Sequence, residues 1–186
     1  MFFNIRVLAP LFLAASSLVN AHDGHEHSGV SLTARADGTK VAVVTCMDPR
    51  IEMDFILTQL GLKADTSYIV RNAGGRVKEA LRSIIASQQF LGTSEVHVIH
   101  HTQCGMAGHS EGSMRKAFYS ADDRSRAYMV NQMDFLPIRT TNFTESVLDD
   151  VALVQFHPLI KQGVKITGWV YNISSTGNDT MAQVYP

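Results

Sequence analysis

Three short apolar runs, set at helix-sized intervals, constrain this chain most. Lys40 to Thr45, Ser67 to Arg71 and Glu95 to His100 are rich in β-branched and apolar residues, and the first run has no polar face at all. A strand that is apolar on both sides belongs in a sheet covered by helices above and below, which is where parallel strands are found. The intervals read as helices. One spans Glu52 to Leu60 and is closed by Gly61; in the next, Val77, Leu81, Ile84, Ile85 and Leu91 keep helical spacing until Gly92. Strand, helix, strand, helix, strand predicts an α/β domain of three layers, with a mainly parallel central sheet flanked by helices. Further on, Ser110 to Arg126 is polar and helical or irregular, Thr144 to Gln155 is helical, and Pro158 opens a turn. Val164 to Tyr171 is a fourth strong strand, and Met181 to Tyr185 a short edge strand.

A chain of 186 residues, 45% apolar, suits one domain with a proper core. A formal charge of -1 gives no reason to expect nucleic acid or an anionic membrane surface as a partner.

The N-terminus reads as a secretory signal over residues 1–21. Arg6 precedes a largely apolar run from Val7 to Val19, and Val19-Asn20-Ala21 offers small residues for cleavage. No other stretch approaches about twenty apolar residues, so the mature protein is expected to be soluble and exported, with no membrane span. Residues 22–39 form a polar arm rich in His, Gly and Ser. His22, His25 and His27, with a free α-amine after cleavage, are a candidate chelator of copper, nickel or zinc, against the simpler reading of a solvated tail. Residues 40–186 are then the functional domain. Asn142, Asn172 and Asn178 each open a glycosylation sequon; Asn178, in a Gly/Ser/Thr-rich turn, is the best placed and Asn172, at a strand end, the worst.

In open parallel sheets, ligands bind beyond the carboxyl ends of the strands. Cys46, Asn72 and the loop from His101 to Cys104 each follow a predicted strand, so topology brings three distant segments to one rim. The chain has 2 cysteines, and both lie there. Two thiolates and one imidazole are three of the four ligands of a tetrahedral zinc, and the vertex left for water is the mark of a catalytic site. Asp48 and Arg50 sit beside the first thiol. An aspartate paired with an arginine fork stays ionised and held in place, able to orient water without joining the metal ligands.

The pattern Cys46-x-Asp48-x-Arg50, then Arg71-Asn72-Ala73-Gly74-Gly75, then His101-x-x-Cys104-Gly105, closely resembles the β-class carbonic anhydrases, in their short microbial branch. The resemblance runs from about Lys40 to the C-terminus. It implies zinc held by Cys46, His101 and Cys104, a catalytic Asp48–Arg50 pair, and reversible hydration of carbon dioxide to bicarbonate. It also implies a homodimer or larger homo-oligomer, with the site near the subunit interface. Pro49 departs from the Ser or Ala common there; it fixes φ and removes an N–H but removes no ligand. Backbone donors around Gly105 are expected to face developing negative charge.

Two other functions fit the same residues. One is hydrolysis of carbonyl sulfide or carbon disulfide on the same scaffold. The other is a non-catalytic exported protein that binds metal through its arm, with Cys46 and Cys104 oxidised to the disulfide usual for that compartment. A cysteine phosphatase needs an arginine six positions after its cysteine; position 52 is Glu, which excludes it. His100 adjoins His101 on an extended segment and so points the other way, into packing or a hydrogen bond. His97, His109 and His157 carry no motif.

Overall fold

The computed structural model describes residues 38–186. The readings of the signal segment and of the histidine arm up to residue 37 lie outside the described residues. The order of elements is β1 (Lys40–Cys46), α1 (Met53–Gln59), β2 (Ser67–Asn72), α2 (Val77–Ala86), β3 (Thr93–His101), α3 (Glu111–Phe118), α4 (Arg124–Gln132), α5 (Phe143–Phe156), β4 (Lys165–Asn172) and β5 (Thr180–Tyr185).

The strands form one sheet in the order β2-β1-β3-β4-β5. β1 pairs in parallel with β2 and β3, and β3 with β4; β5 joins the edge antiparallel. This is the expected α/β architecture, with the expected edge strand. Six of the seven residues of β1 are buried, which is why its sequence shows no polar face.

Helices α2 and α5 cover one face, where Val77, Ala80, Ile84, Val147, Val151 and Val154 pack on Ala42, Val44, Val96 and Val98. Helix α1 covers the other, with Ile56 and Leu60 against Val41, Val43, Ile99 and Trp169. The close approach of α5 to β4 depends on Gly168: a β-carbon there would sit 2.7 Å from Val147 Cγ1.

Four details differ from the sequence reading. The second helix does not run unbroken to Leu91. It turns π-helical over Ser87–Leu91 before Gly92 stops it with φ 79°, and the shift buries Gln88, whose Oε1 accepts from Lys161 N. The polar stretch after residue 110 resolves into two helices, α3 and α4, capped by the side chains of Ser110 and Asp123. His101 is the last residue of β3, in register with Tyr171, and not part of the loop beyond. Asn142 caps α5, accepting from Glu145 N, so that helix begins at Phe143, one residue early. Of the other sequons, Asn172 is half-buried with Nδ2 toward Thr180 Oγ1, and Asn178 is exposed in the β4–β5 turn.

Candidate metal centre

Cys46 and His101 close neighbouring parallel strands, and Cys104 follows in the loop. All three are buried, and their ligand atoms lie within 4.8 Å of one another. That bound admits the separations of about 3.5–3.8 Å between ligands of a tetrahedral zinc. The cysteines are free thiols, so the disulfide reading is not the state of this structure.

The donor set fits a cation on a second count. His101 Nδ1 lies 2.9 Å from its neighbour's carbonyl, Thr102 O, which can only accept, so Nδ1 carries the proton. Nε2 is left as a bare lone pair turned into the cluster, buried and with no hydrogen-bond partner among the described residues. A buried polar atom is normally satisfied, and a metal is the partner this geometry suits.

The sulfurs are held as firmly. The turn after β2 passes under Cys46 and donates Gly74 N–H to its Sγ at 3.3 Å. Gly74 and Gly75 have φ 80° and 69°, and a β-carbon on Gly75 would meet Cys46 N at 2.9 Å, so glycine there is a condition of the close approach. The two thiols shift in opposite directions. The hydrogen bond from Cys104 pulls Cys46 down to about 4, and that same bond, together with burial, pushes Cys104 up.

Asp48 and Arg50 meet as expected from the sequence. Arg50 Nε donates to Oδ1 at 3.0 Å and Nη2 to Oδ2 at 2.8 Å, while Arg50 N adds a bond to Oδ1 at 3.0 Å. These bonds, chiefly from the Arg50 side chain, hold the Asp48 carboxyl down to about 2. Oδ2 lies 4.0 Å from His101 Nε2, so the carboxylate borders the cluster. Pro49 sits inside a turn closed by Ile51 N donating to Asp48 O at 3.2 Å, and its fixed φ suits the second position of such a turn.

Several supporting residues were quoted in the sequence motif without a role, or missed. Arg71 donates Nε to Cys46 O at 3.0 Å and Nη2 to Asp48 O at 2.6 Å, tying down the segment that carries both. Asn72 grips its own turn, with Arg76 N donating to Oδ1 and Nδ2 donating to Arg76 O. Gln103 touches Arg50, and Asp150 binds Arg76 and His100. His100 therefore faces away from the cluster into a hydrogen bond, as its place on the strand predicts. Ala73 and Met106, neighbours in sequence of the Cys46 and Cys104 contacts, also line a largely apolar cleft of about 470 Å³ with Phe118, Phe135 and Leu136.

The family model described as carbonic anhydrase matches residues 41–178. The chain belongs to the β-class carbonic anhydrases. A carbonic anhydrase from Glaciozyma antarctica superposes with a TM-score of 0.68 at 33% identity, covering 83% of this chain and 86% of that one. One from Streptococcus mutans gives 0.63 at 36% identity, covering 82% and 87%. Among curated relatives, a carbon disulfide hydrolase from Acidianus sp. (strain A1-3) is 32% identical over 151 residues, 72% of each chain. The cofactor of β-carbonic anhydrases is zinc, and the Cys46–His101–Cys104 cluster is the place for one ion.

Proposed function

We propose that this β-carbonic anhydrase family member hydrates carbon dioxide reversibly to bicarbonate and a proton, with Cys46, His101 and Cys104 as zinc ligands and Asp48 and Arg50 as the working pair. The observation that carries this reading is the Asp48 carboxylate, clasped by Arg50 and standing 4.0 Å from His101 Nε2.

When bound, zinc supplies the Lewis acidity that lets water act as a nucleophile near neutral pH. The chain's own residues determine where and how. Asp48, ionised at any pH well above 2, can only accept a hydrogen bond. Its Oδ2 takes a proton-bearing edge of the water and leaves an oxygen lone pair free for the carbon of the substrate. Arg50 occupies both carboxylate oxygens and so keeps Asp48 an acceptor beside the cluster. Met106 and Ile138 pack in the same apolar cluster as Cys46 and Cys104, surroundings that suit a small neutral linear molecule better than an ion.

Carbon disulfide and carbonyl sulfide meet that description too, and the 32% identical relative from Acidianus carries the name of a carbon disulfide hydrolase. On carbonyl sulfide the same addition, followed by loss of hydrogen sulfide, consumes one water and yields carbon dioxide. Assay of the zinc-loaded protein on carbon dioxide, carbonyl sulfide and carbon disulfide side by side tests the reading. A higher kcat/KM on a sulfur substrate would replace it with the hydrolase.

Two further proposals accompany this one. Export after cleavage near Ala21 rests on the leader sequence, and N-terminal sequencing of protein from the culture medium tests it. A homodimer is favoured by the exposed Phe118, Tyr128, Met129 and Met133; a monomer mass in light scattering would rule it out.

A further inference from the structure

Arg50 is not held by Asp48 alone. Its Nη2 also donates to the Gln103 carbonyl at 3.1 Å, and its Nη1 to Gln103 Oε1 at 3.3 Å. The other end of the same side chain is anchored, since Gln103 Nε2 donates to Ile173 O at 3.2 Å. The side-chain amide therefore bridges the guanidinium to the segment leaving β4.

The backbone is set for this contact. Gln103 has φ 57°, a left-handed conformation that a residue with a side chain adopts only at a cost. Its neighbours hold it there: Thr102 N donates to Tyr171 O at 2.9 Å, and Ile173 N donates to Thr102 Oγ1 at 3.0 Å. The conformation accompanies a main-chain carbonyl that meets Arg50. Arg50 itself is 45% exposed, and an exposed ion pair, left alone, is weakly held and free to exchange partners with water. Gln103 supplies the second side of the grip.

We infer that Gln103 is a positioning residue for the Asp48–Arg50 pair: it locks the guanidinium in the orientation that keeps both Asp48 oxygens engaged, and it acts only through Arg50. This rests on the proposed role of Asp48, so the test carries one readout that does not depend on turnover.

Gln103→Met keeps the length of the side chain and removes both of its hydrogen bonds; Gln103 is exposed, so the variant should melt with the native protein. In nitrogen-edited NMR, the Nη resonances of Arg50, assigned by their loss in Arg50→Lys, should be resolved in the native protein and averaged by rotation in Gln103→Met. On the zinc-loaded protein, kcat should fall by about threefold to tenfold at unchanged zinc content, the scale of one ordinary hydrogen bond. Placed on Arg50→Ala, Gln103→Met should add no further loss. Resolved Arg50 resonances in Gln103→Met, or the same fractional loss with and without Arg50, would overturn the assignment. A native protein inactive on all three substrates would instead refute the functional reading, and the resonances would still decide whether Gln103 holds Arg50.

Discussion

Asp150 of α5 receives both Nε and Nη2 of Arg76, at 2.9 and 3.0 Å, across 74 residues of sequence. The same buried carboxylate accepts Val77 N–H at 3.1 Å, at the start of α2, and lies 3.0 Å from His100 Nε2. It thus ties α5 to the turn under Cys46 and to the strand that ends in His101. Burial pushes its pKa up, but the bonds from His100 and Arg76 outweigh burial, and the net direction is down. A lowered carboxylate pKa contributes stability that is present above the unfolded value of about 3.9 and lost as pH falls through the folded value. Asp150→Asn leaves the charge of a largely buried arginine without its carboxylate and should cost about 3–5 kcal/mol at pH 7. Urea unfolding at pH 7 and pH 3 checks it: the gap between variant and native protein should narrow at pH 3, and a gap indifferent to pH would count against it.

Asp48→Asn keeps the shape of the side chain and removes the charge that Arg50 clasps. If Asp48 orients the reacting water, turnover should drop by about a hundredfold or more, the usual scale for a group that handles a proton in the transition state. Zinc should stay at one per chain, because Asp48 is outside the Cys46–His101–Cys104 cluster. Metal analysis beside stopped-flow assays separates the two effects, and native turnover in this variant would remove Asp48 from the mechanism.

Zinc uptake should release about one proton from the two thiols together near neutral pH, not two. The reason is the opposite shifts of the two thiols: Cys46, lowered to about 4, enters as a thiolate, while Cys104 is raised and enters with its hydrogen. Both must be ionised to hold the metal, so only Cys104 has a proton to give up. Affinity should therefore weaken as pH falls. Calorimetric titration of metal-stripped protein in buffers of differing ionisation enthalpy counts the protons, and Cys46→Ser should abolish tight binding.

The sheet was legible because its strands advertise themselves: β1 is buried on both faces and its composition says so. The ligands were legible because each closes or follows such a strand, and the spacing His101 to Cys104 lets one short loop serve both. The two helices after residue 110 were not separable, since α4 buries only Val130 while Tyr128 and Met129 face outward, leaving no apolar stripe to read. The Asp150–Arg76 contact had no local signal either. Nothing in the sequence near either residue marks a charge that will be buried, and the partner is set by how α5 crosses the sheet. Gln103 stood in plain view between two ligands, but its role depends on a backbone angle that composition does not encode.

Gly75 offers the sharpest test of how tightly the turn supports the centre. Its φ of 69° alone would strain alanine, and the added β-carbon would press on backbone atoms: Cys46 N at 2.9 Å, Thr45 C at 2.9 Å and Ile99 O at 3.0 Å. Main chain in the middle of a sheet cannot step aside, so the turn itself must move, taking Gly74 N–H away from Cys46 Sγ. Gly163 provides the control, with φ 75° and no atom within 4 Å of the same built β-carbon. Gly163→Ala should cost only the strain, about 1 kcal/mol, and leave zinc binding untouched. Gly75→Ala should cost about 3–4 kcal/mol, strain and overpacking together, and weaken zinc binding as well. Thermal melts and metal titration of the pair check it: equal costs for the two variants would mean that the Gly74–Gly75 turn does not brace the metal centre.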